Sequence, residues 1–119
     1  MLDAKLNDAT LVLIGHGSTL NADSAAPTYQ HADEFRKRGI FARVLEGFWK
    51  QEPCLAAVLR GAFTPRVFIV PLFISKGYFT EEVIPRELGF RTNEQAEFSR
   101  VQVRGAQTLY YCEPIGTHE

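Results

Sequence analysis

Apolar positions along the chain follow two spacings. Continuous apolar runs occupy Thr10–Ile14, Arg66–Ile74 (RVFIVPLFI) and Gln107–Cys112, and a mixed run occupies Ile40–Phe48. Strands buried on both faces, as in a parallel sheet, carry such runs. Between them, apolar residues recur at helical spacing. Ala25, Tyr29, Ala32 and Phe35 face one way and Gln30, Asp33, Glu34 and Lys37 the other, which predicts a helix over Ala25–Arg38. Ser24 suits its N-cap, Pro27 its first turn, and Gly39 its end, with His31 at the border of the apolar face. A second helix is expected over Pro53–Ala62, with Leu55, Val58, Leu59 and Ala62 on one face. A short third helix is expected over Thr80–Leu88, although Pro85 interrupts its pattern. Pro71 inside the third apolar run puts that stretch at a sheet end or a bulge. Gly15–Asp23 reads as a loop, and Gly89–Gly105, polar and mixed, as an excursion with little structure of its own.

The order β-α-β-α-β-α-β calls for right-handed crossovers and a four-stranded, mostly parallel sheet flanked by helices, an α/β architecture in one domain over residues 1–119. Ligands of such sheets bind outside the carboxyl ends of the strands. That topology selects four patches: Gly15–Ser18, Gly47–Lys50, Ser75–Phe79 and Glu113–His118.

Composition narrows the classes of function. Hydrophobic residues make up 45% and charged residues 23% of the chain, ordinary for a globular protein. A net charge of −1, with Lys and Arg scattered, provides no footprint for nucleic acid or an anionic membrane. The apolar runs are far shorter than the roughly 20 residues that span a bilayer. The opening MLDAKLNDAT lacks a charged segment leading into an apolar one, so a cytoplasmic protein is expected. Cys54 and Cys112 have no metal-type spacing and are expected to be buried free thiols.

The same patches carry a family resemblance. LVLIGHGS at Leu11–Ser18, VPLFISKG at Val70–Gly77 followed by FTEEVIPRELGF, and YCEPIG at Tyr111–Gly116 stand in the order and spacing of the sirohydrochlorin chelatases. The chain most resembles their short, single-domain CbiX type. The resemblance implies a chelatase-like, flavodoxin-like three-layer fold and the insertion of cobalt, or nickel or ferrous iron, into sirohydrochlorin during cobalamin or related tetrapyrrole synthesis. It also implies a homodimer, with the metal as substrate and no organic cofactor. His16 matches the metal-binding histidine of the GHGS loop. The position of the family's second metal histidine is Phe79, which cannot coordinate an ion, and the adjacent phenol of Tyr78 ordinarily keeps its proton at neutral pH. The family continues past EPIG into a C-terminal helix, whereas this chain stops at Glu119, so that helix is expected to be missing.

Metal insertion needs a loosely held divalent ion, a base for two pyrrole protons, and a cleft for a flat polyanion. Imidazole suits late first-row ions, so His16 is the first candidate for metal and base; alternatively it shapes the Gly15–Gly17 turn. Glu46 near the carboxyl end of the second strand is the favoured partner, or else a surface carboxylate. His118 in IGTHE is a further donor, or else a frayed terminal residue. Glu113, Glu81 and Glu82 complete the donors. Ser18 orients the imidazole, binds a carboxylate, or simply forms the turn. Phe48 and Trp49 pack on the macrocycle or in the core. Lys50, Lys76, Arg86 and Arg91 pair with its carboxylates or stand solvated. Tyr78 completes the substrate contacts. Two functions follow: a CbiX-like chelatase, or a non-catalytic metal- or tetrapyrrole-binding protein of the same fold that lost turnover with the second histidine.

Overall fold

The structure is a computed structural model that describes residues 6–16, 26–49, 53–73, 79–90 and 100–112. Its centre is a sheet of five strands: β1 (Ala9–Gly15), β2 (Arg43–Phe48), β3 (Arg66–Pro71), β4 (Val101–Arg104) and β5 (Gln107–Tyr111). They lie in the order β2-β1-β3-β5-β4, and only β4 is antiparallel to its neighbour. Helix α1 (Ala26–Arg38) links β1 to β2. A short α2 (Leu55–Val58) and a 3₁₀ turn link β2 to β3. A π-helical turn (Phe79–Val83) runs into α3 (Ile84–Glu87) before β4.

All seven residues of β1 are buried, as the unbroken apolar run requires of a strand with neighbours on both edges and cover on both faces. Alternation along it feeds two cores. Val12 and Ile14 join Val58, Ile69, Ile84 and Tyr111 under α2 and α3. Leu11 and Leu13 join Ala32 and Val44 under α1. The face that α1 buries is Thr28 and Ala32 with Phe35 half-buried, while Tyr29 stays partly exposed and leans on the Phe48 ring at 5.5 Å. An apolar cavity of about 310 Å³ lies beside α1, lined by Leu13, Phe35, Phe68, Val70, His31 and Cys112 among others.

Pro71 ends β3, as expected of a proline within an apolar run. The Ile69 carbonyl accepts from the Cys112 amide at 2.8 Å, so two residues on the Pro71 nitrogen faces the same way, just past the end of β5. Its missing N–H therefore removes no ladder bond. On the other edge, the Leu72 amide still donates to Ile14 at 2.8 Å.

Two expectations are corrected. The sheet has five strands, not four, because the stretch read as an excursion contains β4. Its Val-Gln-Val-Arg alternation and Gly105, with φ of 57°, build a tight hairpin into β5, with Arg104 opposite Gln107. Cys54 and Cys112 are free thiols but half-buried, not buried.

Candidate functional site

The connection after β1 runs to β2 on one side and the connection after β3 runs towards β4 and β5 on the other, so the strand order reverses between β1 and β3. The point where strand order reverses in this way is the usual ligand crevice of a parallel sheet, at the carboxyl ends. His16 is the first residue beyond that end, and it is exposed. Gly15 before it allows α1 to lie directly against the strand: a Cβ there would overlap the Thr28 hydroxyl and press the Phe48 ring at 3.1 Å.

The parallel register pairs Ile14 with Gly47 and Gly15 with Phe48, so His16 comes level with Trp49. The two rings meet edge to face, with centroids 5.5 Å apart and planes at 88°. This is the favoured geometry for two aromatic quadrupoles. Trp49 remains 39% exposed, whereas Phe48 is fully buried. Of the two aromatics offered to a flat ligand, Phe48 is therefore core and Trp49 reaches the surface.

Glu46 sits at the level of Leu13, three residues behind His16, which is about 10 Å along a strand. It projects under α1, 12% exposed, and its carboxylate lies 2.7 Å from the Arg36 guanidinium. Arg36 also donates to the Val44 carbonyl at 2.6 Å and to Asp33 at 2.9 Å. The hydrogen bond with Glu46 is the main cause that raises the Arg36 pKa. The charge of Glu46 is thus matched from α1. Arg36 was absent from the candidates because nothing in a basic last helical turn distinguishes the one arginine that turns back onto the sheet.

Ser18, Lys50, Lys76, Tyr78, Arg91, Glu113 and His118 lie outside the described residues. The backbone of Phe79 opens the π-helical turn. Glu82 and Arg86 are exposed, and Glu81 is paired with Arg100 at 2.6 Å. Among the described residues, no group of three or more His, Cys, Asp or Glu side chains could hold a metal. None of the described helices is long and apolar enough to cross a membrane.

A mostly parallel sheet with an exposed imidazole at its switch point defines a chelatase-like α/β protein. The same architecture is found, at a TM-score of 0.81 and 42% identity, in a multi-domain protein of Deinococcus radiodurans whose crystal structure shows similarity to chelatases and two additional novel domains; the match covers 92% of this chain and 25% of that one. The chain belongs to the CbiX family, whose model matches residues 10–119. It is 44% identical, over 92% of its length, to a probable sirohydrochlorin cobaltochelatase of Halobacterium salinarum, and spans 41% of that relative. It is 34% identical, over 66% of its length, to the sirohydrochlorin cobaltochelatase of Methanocaldococcus jannaschii, and spans 57% of that one. The resemblance carried by LVLIGHGS, VPLFISKG and YCEPIG is thus one of family membership.

Proposed function

We propose that this chain inserts a divalent metal ion, cobalt foremost, into sirohydrochlorin. The observation that carries the reading is the exposed His16 imidazole at the switch point, edge-on to a half-exposed Trp49, in a chain of the CbiX family. One imidazole nitrogen donates to the incoming ion, and late first-row ions favour such a donor. Few protein ligands mean a weakly held ion, which the macrocycle can take. As the metal enters, two pyrrole nitrogens lose their protons, so the net reaction is free macrocycle plus divalent ion giving the metallated macrocycle plus two protons. A neutral imidazole not engaged with the ion can accept one of them.

The exposed indole offers a face to the flat ring. Ser18, Lys50, Lys76 and Tyr78 belong to this proposal as substrate contacts, and His118 as a second metal donor. Glu46 enters as a catalytic and metal residue only if it leaves Arg36. A second copy closing the cleft, and a cytoplasmic setting, belong to the same reading. Cobalt is placed ahead of nickel and ferrous iron because the Halobacterium and Methanocaldococcus relatives carry the name cobaltochelatase, the former as probable.

The test is anaerobic mixing of protein, cobalt and sirohydrochlorin, followed by absorption spectroscopy against cobalt and sirohydrochlorin alone. The expected result is accelerated metallation that His16→Ala abolishes. An equal rate with and without protein would sink the reading. Phe79, where the family has a histidine, favours a second reading as a binding protein. Its signature is retention of cobalt or tetrapyrrole by the purified protein without accelerated metallation.

A further inference from the structure

The helical segment Phe79–Glu87 returns the chain from the carboxyl end of β3, one of the edges that form the crevice. Its first turn is π-helical, a form that is rare, weak in itself, and concentrated at functional sites. It therefore needs support from outside. The Tyr111 hydroxyl donates to the Thr80 carbonyl at 2.6 Å, with both residues almost fully buried. The Arg100 guanidinium donates to Glu81 at 2.6 Å, lies over the Tyr111 ring at 5.5 Å, and approaches the Tyr111 and Cys112 carbonyls at 3.4 and 3.5 Å. At the far end of the segment, Arg104 donates to the Leu88 carbonyl at 2.7 Å and lies over Phe90.

Both arginines flank or end β4 at an even spacing, so they project from the same face of the sheet. That face carries Tyr111 and Leu109, whereas Val101 and Val103 point the other way, exposed. The hairpin thus grips the segment at both ends. The grip nearest the carboxyl edge joins the return of β3 to the exit of β5.

We propose that Arg100, acting through Glu81 and beside Tyr111, is a positioning residue that sets the π-helical turn against the end of β5 and so holds one wall of the tetrapyrrole crevice. The proposal rests on the chelatase reading for its ligand, but not for the clamp itself. In this role Arg100 acts through Glu81 and the turn rather than by contact with metal or macrocycle. His16 lies just beyond the end of β1, and β3 separates β1 from β5 in the sheet, so wall and metal donor are separable by experiment.

The experiment compares wild type, Arg100→Gln, Arg100→Lys, Tyr111→Phe and the swap Arg100→Glu with Glu81→Arg. Hydrogen exchange reads the clamp without any ligand. In Arg100→Gln and Tyr111→Phe, the amides of Thr80–Val83 should exchange faster, while those of β1 stay unchanged. Metal-free sirohydrochlorin binding is read from quenching of Trp49, the one tryptophan of the chain. It should weaken on the order of tenfold in Arg100→Gln, the size expected when a charge-assisted hydrogen bond that holds the wall is lost. Cobalt affinity, measured by calorimetry, should not change. Arg100→Lys and the charge swap should recover much of the binding. Unaltered exchange at Thr80–Val83 overturns the clamp. Faster exchange with unchanged tetrapyrrole binding, or parallel loss of cobalt and tetrapyrrole binding, overturns the positioning role. A wild type that binds no sirohydrochlorin sinks the chelatase reading and the ligand named here, and the exchange data still decide the clamp.

Discussion

Replacing Gly15 by alanine tests the packing that delivers His16 to the edge of the sheet. The new Cβ would overlap the Thr28 hydroxyl and sit 3.1 and 3.2 Å from two ring carbons of Phe48. Neither neighbour has room to retreat, because Thr28 is 4% and Phe48 0% exposed. Overpacking of this kind costs about 1–3 kcal/mol, and the loss of glycine's freedom in the unfolded chain returns about 0.4–1 kcal/mol. The expected net loss is about 1–2 kcal/mol, which lowers Tm by several degrees in a chain of this size. Urea denaturation with an unchanged slope measures it. Thr28→Ala removes the hydroxyl that the Cβ strikes, so the double variant should lose less than the two single variants summed. The Phe48 contacts remain, so recovery should be partial. A Gly15→Ala protein as stable as wild type, or exact additivity with Thr28→Ala, would refute the close approach of α1 to β1.

Glu46→Gln should lower stability by about 1 kcal/mol, since the hydrogen bond from Arg36 loses the charge of its acceptor in a half-buried setting; cobalt affinity should stay within about twofold, and a loss as large as that of His16→Ala would make Glu46 a ligand. Phe79→His should raise cobalt affinity, measured by calorimetry, if the crevice has the family's geometry; unchanged affinity would mean that position 79 does not face the metal. Thr10→Val should cost about 1 kcal/mol of stability, because Thr64 Oγ1 donates to the Arg66 carbonyl at 2.8 Å and the Thr10 hydroxyl then donates to Thr64 at 2.7 Å. Thermal melting checks it, and a neutral result would mean that solvent satisfies Thr64 equally well.

The amino-acid sequence by itself determined what depends on neighbours within a few residues. The unbroken run of β1, the helical spacing of α1 with Gly39 at its end, and the proline that closes β3 were all legible, because each is a local pattern that burial enforces. The GHGS segment also placed His16 beyond a strand end. The β4 hairpin was written in the alternation and Gly105, but it was outweighed by the polar stretch before it. Tertiary structure alone decided which side chains meet. Trp49 faces His16 only because β1 and β2 are parallel in one register. Glu46 meets Arg36 only because α1 folds back over β2. Arg100 reaches Glu81 only because β5 lies beside β3 and brings β4 with it. These contacts join residues that the strand order brings together, and no spacing along the chain encodes that order.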